Sequence, residues 1–144
     1  SDKKIRNYQS KLSGPILDRI DLQLNVFPVD KDKLLHDVPS KVGESSVAVK
    51  KRVLKIREIQ EKRFKNENIF ANYEMSNSQI ERFCIMDDGA KKLLIQATEK
   101  FGLSTRAYFK LIKVARTIAD MEGKNDIEIN HIAETVQYRS KIFL

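Results

Sequence analysis

The stretch from Gly102 to Gly123 constrains the fold more than any other part of this sequence. Apolar residues recur along it at helical spacing and predict one amphipathic helix; they are Ala107, Leu111, Val114, Ile118 and Met121. Ser104 is a good N-cap for this helix. The two glycines suit the positions that end the preceding helix and this one. A helical core around this segment is therefore expected.

Arg106 is the unusual residue of this stretch because it falls in the first helical turn. The helix dipole is positive there, and a cation typically costs about 0.3–1 kcal/mol. An anion that shares the free N–H groups of the turn would account for the arginine. A solvated arginine that reaches a nearby carboxylate is the other interpretation. From this turn alone the solvated arginine is favoured, because a single motif match is only a hypothesis.

Composition and charge limit the kinds of partner. The chain has 144 residues, 41% hydrophobic and 33% charged, which indicates one ordinary domain or a small domain with an appendage. Its formal net charge of +7 suits an anionic partner such as a nucleotide or a nucleic acid. No apolar run could span a bilayer and no signal peptide is evident, so no membrane association is expected. Cys84 is the only cysteine, so neither a disulfide framework nor a four-ligand zinc site is expected, and a cytoplasmic location fits best.

The first 28 residues read as the end of another domain. The chain begins without a methionine, which suggests a piece of a longer protein. Residues 13–20 predict a short helix with Pro15 in its first turn. The alternation of residues 21–27 predicts one strand, whose sheet would lie outside this sequence because a lone strand leaves backbone groups unpaired. Residues 29–43, with mixed charge, a proline and Gly43, read as a linker.

Residues 44–144 predict a small bundle of about five helices, so the fold class is mostly α. Each helix has its own cap and apolar stripe; the predicted caps are Ser45 or Ser46, Ser76 with Gln79, Asp87 or Asp88, Ser104, and Asn130. The first helix would place Val49, Val53, Ile56, Gln60 and Phe64 on its inward side. The next two would bury Ile80 and Phe83, then Leu93, Leu94 and Ala97, and the last would bury Ile132, Ala133 and Val136.

Other candidate sites are weaker. The first long helix is rich in lysine and arginine between Lys50 and Lys65, which suits either a phosphate-binding strip or, as favoured here, a solvated face. His36 and His131 have no ligand residues near them in sequence, so no metal site is expected. Cys84 reads as a small buried residue. No phosphate-binding loop of the G-x-x-x-x-G-K-[ST] type occurs.

Several blocks together resemble one family. They are Ser13–Asp21, Glu44–Ser46, Gly102–Tyr108, Val114–Asp120 and His131–Arg139. In this order they resemble the C-terminal end of magnesium-chelatase-like AAA+ ATPases, in particular the ComM/YifB group linked to DNA uptake and recombination. The resemblance covers nearly the whole chain from about residue 8.

The resemblance implies a role for each matched residue. Arg19 resembles the arginine finger that reaches the ATP of a neighbouring subunit, and pairing with Asp18 or Asp21 is the alternative. Arg106 resembles the sensor-2 residue, with Ser104 and Thr105 beside it at the nucleotide. This agrees with the dipole argument and reverses the preference for a solvated Arg106.

The resemblance also implies a domain plan and a set of partners. Residues 1–28 would end the AAA+ core, with the strand at its sheet edge, and 44–144 would form the helical lid. The parent protein would be a homo-oligomeric ring, a hexamer, that uses ATP and Mg²⁺ and remodels DNA or drives branch migration. This fragment alone would be no enzyme and would hold no cofactor or metal. The alternatives are a magnesium-chelatase motor subunit and a free-standing basic helical module that binds DNA.

Overall fold

The structure is a computed structural model that describes residues 14–28 and 43–139. These residues form two compact units, one of residues 14–24 and 72–139 and one of residues 25–28 and 43–71. Both units are helical, and within the described ranges no strand is formed. The predicted mostly α fold is confirmed. Apart from Gly43, the predicted linker lies outside the described residues.

The five helices predicted after residue 44 are all present. In chain order the helices are α1 Gly14–Leu17, α2 Ser46–Arg63, α3 Asn77–Phe83, α4 Asp88–Phe101, α5 Thr105–Met121 and α6 Ile129–Gln137, with a 3₁₀ turn at Asn72–Glu74 before α3. The short α1 helix agrees with the prediction around Pro15. We call α3–α6 with the 3₁₀ turn the helical bundle.

Local hydrogen bonds explain where four of these helices begin. The Oγ of Ser45 accepts the N–H of Ala48 at 3.2 Å and caps α2. Ser76 and Gln79 form the predicted capping box of α3. Asp87 caps α4 and Ser104 caps α5. Each cap satisfies an N–H group that has no partner within its own helix.

The predicted cap of α6 at Asn130 is wrong. The helix begins at Ile129, so Asn130 lies inside it. The N–H of Glu128 donates to Nδ1 of His131 at 2.8 Å, and Nε2 of the same ring lies 3.0 Å from Glu122 Oε2. Because the His131 ring satisfies the backbone at Glu128, the helix can start earlier than the sequence pattern indicated.

The core of the bundle lies around α5. The predicted Ala107, Leu111 and Ile118 are buried there, whereas Met121 is exposed. The buried face is wider than the predicted stripe because α6, the 3₁₀ turn and α3 all pack on α5; Ile112, Ala115 and Ala119 are buried as well.

The shorter stripes are partly confirmed. Ile80, Leu94, Ala97 and Ile132 are buried as predicted, and Cys84 is buried too. Ala133 is exposed, contrary to the prediction. A single parallel bridge between Met86 and Ile127 lies just before α4 and α6. It pairs the two segments that lead into these helices, a contact between distant residues that local periodicity does not encode.

The predicted inward side of α2 is wrong for its first turns. Val49 and Val53 are exposed, Val53 to 51%. Within the helix only Gln60 is buried, and the cap residue Phe64 is buried after it. Periodicity shows that a helix has an apolar side, but it does not show how far along the helix that side is covered.

The predicted strand at residues 21–27 is not formed. Residues 22–28 have no regular structure, and Val26 is 93% exposed. The N–H of Gln23 donates to the carbonyl of Tyr138 at 2.7 Å, which is one backbone bond and not a ladder. A strand needs a neighbouring strand for its backbone groups, and the described residues offer none.

Candidate functional site

The candidate site is built at the N-terminus of α5. Gly102 ends α4 in the left-handed conformation, with φ of 57°. The chain then turns into α5, whose first turn is closed by a hydrogen bond from Ala107 N–H to Ser104 Oγ at 3.2 Å. Thr105 and Arg106 are the first two helical residues, and both are exposed.

The segment that carries Arg19 is attached to this helix end. The hydroxyl of Ser104 donates to Asp18 Oδ2 at 2.6 Å. The ammonium of Lys110 lies 2.6 Å from Asp21 Oδ1 and also donates to the carbonyl oxygen of Arg19. The structure therefore brings the predicted residues Arg19, Ser104, Thr105 and Arg106 to one end of the helical bundle.

The two arginine side chains are exposed at this end. Neither the guanidinium of Arg19 nor that of Arg106 makes a hydrogen bond or an ion pair with the residues that the structure describes. Asp18 is engaged by Ser104, and Asp21 by Lys110. The structure therefore does not show Arg19 paired with either aspartate, which was the alternative interpretation of this residue.

Positive charge accumulates at this helix end. Arg106 and Lys110 are four residues apart on α5, so they lie on the same side of the helix. The first turn adds the positive end of the helix dipole and its free N–H groups. Planar guanidinium groups with several donors suit phosphate oxygens. The arrangement is suited to an anion that carries more than one oxygen.

A cleft of about 330 Å³ adjoins the site. Its lining residues are Asp21, Leu22, Tyr73, Lys110, Lys113, Val114 and Thr117. The ammonium of Lys113 donates to the carbonyl of Tyr73 at 3.0 Å. Burial lowers the pKa of Lys113 below its usual value, and the nearby Asp21 carboxylate opposes this effect. The cleft has a largely apolar wall beside a cationic one.

The block Val114–Asp120 is structural. Arg116 and Asp120 are both buried, with Arg116 Nη2 3.0 Å from Asp120 Oδ1. Arg116 also donates to the carbonyls of Lys124 and Asn125, and Asn72 donates to Asp120 Oδ2 at 2.8 Å. This network joins α5 to the turn before α3 and to the loop after α5. It lies away from solvent and offers nothing to a ligand.

Sequence reasoning missed three residues of the site. Asp18, Lys110 and Arg139 are each ordinary charged residues when viewed locally. The signal for Lys110 was its position one turn after Arg106. Asp18 and Arg139 have no local signal, because their partners are distant in sequence: Arg139 Nη1 lies 3.4 Å from the carbonyl oxygen of Leu17 and 3.8 Å from Asp18 Oδ1.

Other types of site are not found in the described parts of the chain. No group of three or more His, Cys, Asp or Glu residues there could hold a metal ion. Of the helices in these ranges, none combines the length and the apolar character needed to cross a membrane. The basic residues of α2 between Lys50 and Arg57 are exposed, and Arg52 pairs with Glu44 at 2.8 Å.

Comparison with known proteins gives two family matches. Residues 43–139 match the family described as magnesium chelatase, subunit ChlI C-terminal. Residues 1–34 match the family described as magnesium chelatase, subunit ChlI. Arg106 falls in the first of these matches and Arg19 in the second.

Individual relatives cover the same region. The competence protein ComM of Haemophilus influenzae is 40% identical over 144 residues, which are 100% of this chain and 27% of that protein. The protein YifB of Salmonella typhimurium is 40% identical over 133 residues, 92% of this chain and 25% of its own length. The YifB protein of Escherichia coli is 40% identical over 135 residues, with 92% and 25% covered. The chain thus spans about a quarter of the length of these relatives.

Proposed function

The chain belongs to the family of the magnesium chelatase subunit ChlI C-terminal region, as its sequence blocks predicted. We propose that residues 44–144 are the helical lid of a longer AAA+ ATPase and that residues 1–28 are the end of its ATPase core. The observation that carries this proposal is the pair of exposed arginines at one end of the helical bundle. Arg106 lies in the first turn of α5, and the segment with Arg19 is attached to the same helix end through the bond between Asp18 and Ser104. Such an end suits the phosphates of ATP.

In this proposal Arg106 binds a phosphate of the nucleotide held by its own subunit. Thr105 and the free N–H groups of the first turn add donors, and Ser104 orients that turn as its cap. The chain contains no phosphate-binding loop, so the rest of the ATP site belongs to the longer protein. Lid angle and nucleotide state are then coupled through Arg106.

Arg19 acts on the ATP of the neighbouring subunit in a homo-oligomeric ring, a hexamer in this proposal. ATP hydrolysis develops charge on the transferred phosphoryl group, and a guanidinium placed there stabilises the transition state more than the bound substrate. The exposure of Arg19 supports this role, because its side chain is available to a second subunit.

Mg²⁺ would be bound outside this site. Mg²⁺ requires oxygen ligands, and the carboxylates nearest to Arg19 are engaged: Asp18 by Ser104 and Asp21 by Lys110. The described residues therefore fit the phosphates of the substrate and do not fit the metal ion. Its ligands are expected in the preceding part of the protein.

We propose DNA remodelling, with branch migration as its specific form, as the work driven by ATP. Its support is the 40% identity to a relative whose name is competence protein, together with the net charge of +7. A chelatase motor subunit is the alternative, supported by the family description. The exposed basic residues of α2 support a second alternative, in which this region binds DNA directly.

Mixed rings test the function of Arg19 in the full-length protein. Arg19→Ala should lower ATP turnover by about a thousandfold, as for other arginine fingers, and leave ATP binding nearly unchanged. Subunits with Arg19→Ala mixed with subunits that lack the lysine of the phosphate-binding loop should recover part of the activity, because some interfaces then contain both groups. If mixing restores nothing and neither Arg19→Ala nor Arg106→Ala slows hydrolysis, the proposed function is wrong.

A further inference from the structure

Arg139 lies just after the end of α6, and the proposed function leaves its largely buried side chain unused. Its side chain is only 9% exposed. We infer that Arg139 is a positioning residue that holds the turn Leu17–Asp18–Arg19 on the helical bundle, so that the Arg19 guanidinium is presented at a fixed place. This inference rests on the proposed function of Arg19.

The contacts of Arg139 lie on the residues immediately before Arg19. Its Nη1 is 3.4 Å from the carbonyl oxygen of Leu17 and 3.8 Å from Asp18 Oδ1. The other oxygen of the same carboxylate accepts the Ser104 hydroxyl at 2.6 Å. Asp18 is thus held from α5 on one side and faces Arg139, which follows α6, on the other.

The residues at and after Arg19 are anchored as well. Lys110 of α5 donates to the Arg19 carbonyl and pairs with Asp21. The N–H of Gln23 donates to the carbonyl of Tyr138, the residue that precedes Arg139. The main chain is therefore fixed on both sides of Arg19, while the Arg19 side chain remains exposed. Such fixation is what a group needs if it must meet a transition state at a defined position.

Fold stability does not explain why Arg139 is buried. Its Nε and Nη2 atoms are buried and have no hydrogen-bond partner within the described residues. A buried donor without a partner is destabilising, and of the three guanidinium nitrogens only Nη1 has a partner among the described residues. Replacement of a poorly satisfied buried charge by an apolar side chain is often neutral or stabilising. A positioning role explains an arginine that stability alone would not favour.

The consequence is that Arg19 and Arg106 belong to the same compact unit. Arg106 is on α5, and Arg19 is attached to α5 and α6 through Ser104, Lys110 and Arg139. A change in lid angle that follows the nucleotide of one subunit would therefore also move the arginine offered to the next subunit. Arg139 would contribute to the transmission of nucleotide state around the ring.

The experiment is Arg139→Met in the full-length ATPase, with Arg82→Met as the matched control, since Arg82 stacks on Phe83 of α3 at 4.4 Å and is exposed. We expect Arg139→Met to lower kcat by about 10- to 100-fold, the scale of a misplaced catalytic group, with KM for ATP unchanged. The thermal unfolding temperature should be unchanged or higher. Hydrogen exchange should become faster at the amides of residues 17–23. The control should change none of these quantities.

Comparison with Arg19→Ala separates this inference from the proposed function. The double variant Arg19→Ala, Arg139→Met should be no slower than Arg19→Ala alone, because both changes remove the same group from the transition state. Arg139→Lys should recover part of the lost rate. If Arg19→Ala slows turnover and Arg139→Met does not, only the positioning role is overturned. If Arg139→Met fails to fold or unfolds at a lower temperature, Arg139 is needed for stability and the inference is also overturned. If Arg19→Ala itself has no effect, the proposed function fails, and the role of Arg139 fails with it.

Discussion

The carboxylate of Asp18 accepts a 2.6 Å hydrogen bond from the hydroxyl of Ser104, although the two residues are 86 positions apart in the sequence. The same hydroxyl accepts the N–H of Ala107 and caps α5. One small side chain therefore closes the first turn of a helix and also holds the residue next to Arg19. The Ser104 hydroxyl thus donates its one hydrogen to Asp18, a group of the protein itself.

Ser104→Ala should lower the free energy of unfolding by about 1–2 kcal/mol, because the cap of α5 and the bond to Asp18 are lost together. Chemical denaturation measures this change. The neighbouring exposed Thr105→Ala is the control and should change stability by less than about 0.5 kcal/mol. In a double-mutant cycle with Asp18→Ala the two losses should not add. Strict additivity would show that the hydrogen bond contributes nothing.

Asp120→Ala should destabilise the helical bundle by about 3–5 kcal/mol, because it leaves Arg116 as an uncompensated buried charge. The control is Lys91→Ala, which breaks the exposed pair with Asp88 and should cost no more than about 0.5 kcal/mol. Both values come from denaturant unfolding. A small loss for Asp120→Ala would mean that water or another group readily reaches Arg116.

Gly102→Ala should lower stability by about 1–2 kcal/mol, the cost of a left-handed residue with a Cβ. No heavy atom lies within 4 Å of a Cβ built at Gly102, so the cost is conformational and not steric. Gly43→Ala is a matched control, since its surroundings are equally open and its φ is not positive. Equal effects of the two substitutions in thermal unfolding would argue against this explanation.

Glu134→Gln should lower the pKa of Tyr138. A hydrogen bond from the Tyr138 hydroxyl to Glu134 Oε1 at 2.7 Å raises that pKa above 10.0, with burial and the carboxylate charge as smaller causes. Because the folded-state pKa is the higher one, the stabilisation is fully present below pH 10 and is lost as the pH rises through the folded-state value. Phenolate absorbance during an alkaline titration measures the shift. The exposed Glu99→Gln should leave the titration curve as it is.

Replacement of Lys50, Lys51 and Lys55 by glutamine should not change the DNA affinity of the full-length protein at physiological salt. We expect this because exposed charges on a helix usually serve solvation, and purely electrostatic DNA binding falls steeply as salt rises. Fluorescence anisotropy at two salt concentrations, with single-stranded, duplex and branched DNA, provides the measurement. Loss of structure-selective binding in the variant would favour the alternative in which α2 contacts DNA.

Local interactions explain which features could be predicted from the sequence. The caps at Ser76, Asp87 and Ser104 and the glycine at 102 were correctly identified, since each depends on residues within one turn. The position of Arg106 in the first turn of α5 follows from the same local geometry. The cap of α6 was missed because a histidine ring, and not the usual glutamate or glutamine, bonds to the backbone there.

Distant contacts explain what could not be predicted. The attachment of Asp18 to Ser104 and the approach of Arg139 to Leu17 depend on how α5 and α6 pack, and no spacing in the sequence reports it. The alternation of Leu22 and Leu24 predicted a strand that is not formed, because a strand depends on a neighbour for its backbone pairing. Val53 likewise has the spacing of an inward-facing residue, but whether its side chain is buried depends on what packs against α2.

The buried pair of Arg116 and Asp120 has a consequence for how such a chain can diverge. Loss of either residue alone leaves a charge in the core, so a lineage that changes one must pass through a weakened protein before it changes the other. The two are therefore expected to be inherited together whatever the longer protein acts on. The presence of this buried pair in another sequence would therefore indicate common descent. It would not indicate which substrate that protein acts on.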